Sequence, residues 1–321
     1  MRRAVWSLLL IASCSRDKVK EPRATSAPSA SAVAAEASAA QAAPAAGPTC
    51  SLSPLPLRRP AAKRVVAIGD VHGDLAATRA ALRAGGVIDD KDAWIGKDTV
   101  VVQTGDVLDR GDDEQAILDL LFKLEGEAKA AGGALVFLLG NHELMNAAGD
   151  FRYVTPGAMH DFDEAGGDRL AVLGPGGAYA KKLAAHDVVA IVGDTLYSHA
   201  GVAGEFATQI EAVNMSARCW LDGQAGGPRD VPIAMTSEES PVWTRAYGLD
   251  PVDCGALQAT LDKLGVKRMV VGHTVQQQGI NAACDGRVWR IDVGLGKGYG
   301  GPIQVLELVE GAAPKVLNGT R

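Results

Sequence analysis

Three short apolar runs, each stopped by a glycine and followed at once by polar side chains, restrict this chain to few architectures. Val65-Val66-Ala67-Ile68 leads into Gly69-Asp70-Val71-His72-Gly73. The run from Asp98 to Gln103 leads into Gly105-Asp106-Val107-Leu108-Asp109-Arg110-Gly111, and the run from Ala134 to Leu139 into Gly140-Asn141-His142-Glu143. Short apolar runs bounded by turn formers read as buried strands. Helical stretches separate them: Asp74 to Ala84, closing at Gly85-Gly86, and Asp112 to Ala131, whose Ile117, Leu118, Leu121 and Leu124 recur near the helical period. Alternating strand, loop and helix predicts an α/β domain with a partly parallel core. The polar residues then sit at the carboxyl ends of strands, where such sheets build their sites.

The pattern continues less regularly. Further strands are expected at Val188–Val192, Thr195–Ser198, Met269–Val271, Val288–Ile291 and Ile303–Leu308, with helices at Phe206–Trp220 and Ala256–Leu264. Two of these strands end in more polar residues, Ser198-His199-Ala200-Gly201 and Gly272-His273-Thr274. The glycine-rich stretch from Leu144 to Ala184 is expected to cap one side of the cleft. His160 and His186 complete no ligand pattern and read as structural or surface residues. Gly294 to Gly301 does not open a helix after a strand, so it reads as a flexible rim and not a dinucleotide loop.

The N-terminal part differs in kind. Arg2 and Arg3 precede an apolar segment, Ala4 to Ala12, and then Cys14. Ile11-Ala12-Ser13-Cys14 resembles a bacterial lipobox, which implies a lipidated cysteine and a protein anchored to the cell envelope, facing the periplasm or exterior. An ordinary cleaved signal with an incidental cysteine is the alternative. Residues 15–62 are rich in Ala, Pro and Ser and read as a disordered tether. The predicted organisation is thus a signal peptide over 1–14, a tether over 15–62 and one domain over 63–321. Residues 1–62 carry eight basic and three acidic side chains, and the remainder 24 basic and 35 acidic. An acidic domain lacks the electrostatic footprint for nucleic acid. Cys50, Cys219, Cys254 and Cys284 permit disulfides in an exported chain, with three pairings open.

Asp70, His72, Asp106, Asn141, His199 and His273 offer oxygen and imidazole donors from five strand ends, a set suited to Mn, Fe, Zn or Mg. Asp106 is the natural bridge between two divalent ions, and a bridging hydroxide could attack phosphorus in line with the leaving oxygen. Arg110 and a second arginine can fork onto the other phosphate oxygens. His142, partnered by Asp109, can give a proton to the leaving alkoxide.

At these motifs the sequence resembles the PPP group of calcineurin-like metallophosphoesterases. LMNAAGDFRYV after GNHE, SPVWTRAYG at 240–248 and VWRIDVGLGKGYGG at 288–301 resemble the bacterial Shewanella-like protein phosphatase branch. The resemblance implies a sandwich of two mixed sheets flanked by helices. It also implies Asp70 and His72 as ligands of one metal, Asp106 as bridge, and Asn141, His199 and His273 as ligands of the other, with manganese the expected ion. His142 matches the family's proton donor and Asp109 its carboxylate partner. Arg110, Arg245, Asn141 and Tyr299 match phosphate-binding positions. The expected substrate is a phosphorylated Ser, Thr or Tyr side chain of a protein, acted on by a monomer. The alternatives are a small phosphate ester or a dinucleoside polyphosphate, or a non-catalytic envelope module that binds phosphorylated ligands.

Cys14→Ser is expected to move the protein from the membrane to the soluble fraction; unchanged membrane association after fractionation would remove the lipid-anchor reading.

Overall fold

The computed structural model describes residues 50–321. The expected signal segment 1–14 with Cys14, and the tether as far as residue 49, lie outside the described residues. The strands are β1 (Arg58–Arg59), β2 (Arg64–Ile68), β3 (Val100–Gln103), β4 (Ala134–Phe137), β5 (Val189–Val192), β6 (Thr195–Ser198), β7 (Arg268–Val271), β8 (Asn281–Ala283), β9 (Val288–Arg290), β10 (Gln304–Val309) and β11 (Lys315–Asn318). The helices are α1 (Leu75–Ala84), α2 (Glu114–Ala130), α3 (Asn141–Ala147), α4 (Arg169–Leu173), α5 (Ala178–Leu183), α6 (Ile210–Leu221) and α7 (Cys254–Leu264).

Two mixed sheets result, ordered β11-β10-β2-β3-β4 and β1-β5-β6-β7-β9-β8. Strand alternation explains why they stack. Val65 and Ala67 of β2, Val102 of β3 and Val136 of β4 meet Ala190 and Val192 of β5, Tyr197 of β6 and Val270 of β7 in one buried cluster between the sheets. The intervening residues Val66, Ile68, Val101, Leu135 and Phe137 face outward into a second cluster with Ala77, Ala81, Leu82, Ile117, Leu121 and Leu124 of α1 and α2. Both faces of the central strands are therefore apolar, which is why they read as unbroken runs in the sequence. The sheets are stitched where Leu138 bridges Asp187 and the Leu139 N–H donates to the Asp187 carbonyl at 3.0 Å. β2, β3 and β4 run parallel, as do β6, β7 and β9, so their carboxyl ends open onto one rim.

Three expectations change. The GNHE run does not merely end a strand; it begins α3, whose residues Asn141 to Ala147 are all buried and so show no amphipathic stripe. Edge strands β1, β8 and β11 went unseen because they are short and half exposed. The tether boundary also moves, since residues 50–62 belong with the domain. Arg58 and Arg59 pair in parallel with Ile191 and Val192, Leu52 and Leu57 pack on the core, and Cys50 is bonded to Cys219. Order here comes from a covalent tie and a strand pairing, which composition does not report. The second bridge, Cys254–Cys284, closes a separation of 30 residues and ties the start of α7 to the end of β8. No described helix is long and apolar enough to cross a membrane.

Loss of a native disulfide typically costs about 2–5 kcal/mol. Reduction under native conditions should therefore lower the thermal midpoint by several degrees, and a midpoint that does not move in dithiothreitol would show that neither tie stabilises the fold.

Candidate active site

Every motif that ends a central strand delivers its polar side chains to the common rim. Asp70 and His72 follow β2, Asp106 follows β3, Asn141 and His142 open α3 after β4, His199 follows β6 and His273 follows β7. Their loops are held in unusual backbone. His72, Asp106, Asp109, Arg110 and His273 all have left-handed φ, between 46° and 69°, a region that non-glycine residues seldom occupy. Two glycines make the loops fit. Gly105 lies at φ 94°, and a Cβ on Gly140 would stand 2.2 Å from Asp106 Oδ1.

The protonation pattern defines what the site can hold. His199 Nδ1 lies 2.9 Å from the Thr104 carbonyl, which can only accept, so that nitrogen carries the proton. The lone pair on Nε2 then faces Asn141 Oδ1 at 2.8 Å, His273 Nδ1 at 3.1 Å and Asp106 Oδ2 at 3.3 Å. His72 repeats the arrangement, with Nδ1 on the Leu108 carbonyl at 3.0 Å, while Nε2 lies 2.7 Å from Arg110 Nη1 and 3.7 Å from Asp106 Oδ2. Histidine ligands of metals are oriented in this way by carbonyls behind them. Donor atoms of His72, Asp106 and His142 lie within 4.8 Å of one another, and so do those of Asp106, His199 and His273. Asp106 is the shared member. Asp70 stands just behind, both its oxygens accepting the His273 N–H at 3.2 and 3.0 Å.

Charge tells the same story. Burial, then the neighbouring Asp292 and Asp106, push the Asp70 carboxyl well above its ordinary range. Burial pushes Asp292 up to about 6. Burial also holds His72 at about 3 and His273 at about 2, so both are neutral imidazoles, as ligation requires. Burial opposes the charge on Asp106, but the surrounding histidines, His199 first, bring its carboxyl well below the usual value. Lone pairs converging among buried carboxylates are unfavourable unless cations sit between them, and the donors present fit a pair of divalent ions.

The remaining predicted residues surround the cavity, of about 270 Å³, lined by Asp106, Arg110, Asn141, His142, Arg245 and Tyr299 together with Tyr153 and Trp243. Larger depressions of about 650 and 420 Å³ contain none of these side chains. Arg245 Nη1 donates to Thr274 Oγ1 at 3.0 Å. Arg110 lies over the rings of Tyr153 and Tyr299, at 5.0 and 5.2 Å. His142 Nδ1 is bonded to Asp109 Oδ2, which leaves Nε2 toward the cavity, 3.7 Å from Asp106. Burial disfavours a charged His142, yet the carboxylates of Asp106 and Asp109 outweigh it and raise its pKa. His160 pairs with Asp163 on the surface, and His186 is buried against Glu125, Phe122 and Phe137, so neither enters the site.

Sequence reading missed several members. Asp292 ends β9 as the others end their strands, so the same rule would have found it. Glu143 lay inside a quoted motif without a role; its carboxylate accepts four backbone N–H groups, from Gly140, Asp106, Val107 and Leu108, at 2.7–3.1 Å. Tyr153 and Trp243 lie inside two of the quoted resemblance runs but carry no ligand-type group that would single them out. If Asp106 joins the two clusters, Asp106→Asn should lose bound metal by elemental analysis, and retention of wild-type content would refute its shared role.

A calcineurin-like phosphoesterase family profile matches residues 63–277. The chain is 38% identical over 294 residues to Shewanella-like protein phosphatase 2 of Arabidopsis thaliana, covering 77% of this chain and 75% of that one. It is 30% identical to Shewanella-like protein phosphatase 1 of Plasmodium berghei, over 74% and 69% of the two chains. Among solved structures it is similar to the cold-active protein-tyrosine phosphatase of a psychrophilic Shewanella, with TM-score 0.72, 25% identity and coverage of 82% and 83%. Strand-end donors in this order, on this sandwich, with these relatives, make the chain a calcineurin-like metallophosphoesterase of the Shewanella-like protein phosphatase branch, a metal-dependent phosphatase.

Proposed function

We propose that the protein hydrolyses phosphomonoesters on protein side chains, with phosphotyrosine preferred over phosphoserine and phosphothreonine. The observation that carries this reading is the cavity of about 270 Å³, with two arginines and His142 on its walls and Tyr153, Trp243 and Tyr299 around it. A phosphoryl group fits that space, whereas a drug-sized ligand is normally enclosed by roughly 300–1,000 Å³. A dinucleoside polyphosphate would leave most of its surface outside. Aromatic walls favour an aryl ester, and a relative of similar fold is named a protein-tyrosine phosphatase.

Asp70 and His72 would hold one divalent ion and Asn141, His199 and His273 the other, with Asp106 shared between the two sets. Manganese is the proposed ion, since oxygen and imidazole donors without thiolate suit it. Bound there, the ions supply Lewis acidity and an activated water. The protein's own groups do the rest. Arg110 and Arg245 grip non-bridging phosphate oxygens, Asn141 adds an amide contact, and Tyr299 walls the entrance. His142 delivers the proton at Nε2 to the leaving oxygen, while Asp109 holds the ring through Nδ1. Lipid attachment through Cys14 outside the cytoplasm is proposed as well; two disulfides in the described residues support an oxidising compartment.

The test is a panel of sequence-matched phosphotyrosine, phosphoserine and phosphothreonine peptides and a dinucleoside tetraphosphate, with metals added back singly. The expected order of kcat/KM is phosphotyrosine peptide first and the dinucleotide last. Preference for the dinucleotide by more than about tenfold, roughly 1.4 kcal/mol in transition-state binding, would overturn the reading.

A further inference from the structure

We propose that Arg169 is a positioning residue for proton delivery by His142, acting through both groups that grip Asp109. The inference rests on the proton-donor reading of His142. Arg169 comes from α4, in the capping segment, where no motif marks it, and its side chain is only 1% exposed. Its Nε donates to Asn146 Oδ1 at 2.8 Å, and its Nη1 donates to Glu114 Oε2 at 2.5 Å and to the Ala158 carbonyl at 2.7 Å. The guanidinium lies over Phe162 and Phe151, at 5.4 and 5.8 Å from the ring centres.

Both of its side-chain partners hold Asp109. Glu114 Oε1 accepts the Asp109 N–H at 2.5 Å, in the left-handed backbone of that residue. Asn146 Nδ2 donates to Asp109 Oδ1 and to the His142 carbonyl, each at 2.9 Å. An amide can present either end. Arg169 has only donors, so it requires the oxygen of Asn146 and turns the NH₂ toward Asp109. A reversed amide would set oxygen against carboxylate and displace the acceptor of His142 Nδ1. Nη2 of Arg169, buried without a hydrogen-bond partner, lies 3.7 Å from Asp109 Oδ1, within reach of a direct ion-pair contact. A purely structural arginine, present only to neutralise Glu114, would affect folding and not the fate of the leaving group.

Leaving-group dependence separates the two roles, because an ester with a good leaving group needs little proton donation. kcat and KM would be measured on the metal-loaded full chain for 4-nitrophenyl phosphate and for alkyl phosphates. The variants are Arg169→Lys and the double variant Arg169→Met/Glu114→Gln, which removes both buried charges yet keeps an acceptor for the Asp109 N–H. His142→Asn is the control. His142→Asn should lose roughly 10²-fold or more in kcat on alkyl phosphates, and much less on 4-nitrophenyl phosphate. Both Arg169 variants should show the same bias, at least about tenfold, with KM and metal content near wild type, as expected when an interaction of the transition state alone is lost. An equal loss on both ester classes, or no loss, in a folded and metal-replete variant overturns the role of Arg169 while the His142 control still shows the bias. If His142→Asn shows no bias, the reading of His142 falls first and this inference with it. Should Arg169→Lys not fold, the double variant decides alone.

Discussion

The carboxylate of Glu143 accepts four backbone N–H groups, and the geometry of the site depends on that grip. Three of the four come from consecutive residues, Asp106, Val107 and Leu108, so one side chain sets the course of the loop after β3. The fourth is the amide of Gly140, which starts α3. Glu143 thereby locks the second motif onto the third. Left-handed backbone at non-glycine residues costs on the order of 1–3 kcal/mol each, and Asp106, Asp109 and Arg110 adopt it in succession around this loop. Burial and the nearby Asp106 raise the Glu143 carboxyl above its ordinary value, against the opposing pull of the Gly140, Asp106 and Leu108 amides. The strain is tolerated because amides, carbonyls and sheet packing over-determine the loop.

What the strain delivers is a set of aimed lone pairs. The carbonyls of Thr104 and Leu108 take the protons of His199 and His72 and point the opposite nitrogens inward. Those carbonyls belong to the β3 loop itself, so the loop that carries Asp106 also orients the imidazoles around it. Such a centre is costly without cations, since Asp70, Asp106 and Asp292 are all nearly fully buried. Metal binding and folding of this rim are therefore expected to be linked.

The outer parts of the molecule stabilise rather than react. α4 supplies Arg169 behind the Asp109–His142 pair, and the loop before it supplies Tyr153 to the cavity wall. The strap from Cys50 to Arg59 is fixed at one end by the bond to Cys219 and at the other by its pairing with β5.

The sequence by itself determined the three central strands, the glycine-flanked turns after them and the residue types at the rim. It could do so because these features are local: an apolar run on both faces of a strand, a turn, a short motif. Asp70, His72, Asp106, Asn141, His142, His199 and His273 were legible for that reason, and the family resemblance followed from the same runs. Asp292 is equally legible by the rule of strand ends. Tertiary structure alone decided the cysteine pairing, the attachment of residues 50–62 to the domain, the helical start at Asn141, and the contacts of Glu143, Asn146 and Arg169. Each of these depends on contacts between residues distant along the chain. Arg169 and Glu114 are 55 residues apart and Cys50 and Cys219 are 169 apart, separations across which no periodicity or composition carries a signal. Whether a buried polar residue is a ligand, a brace or a liability is settled by what the fold brings against it.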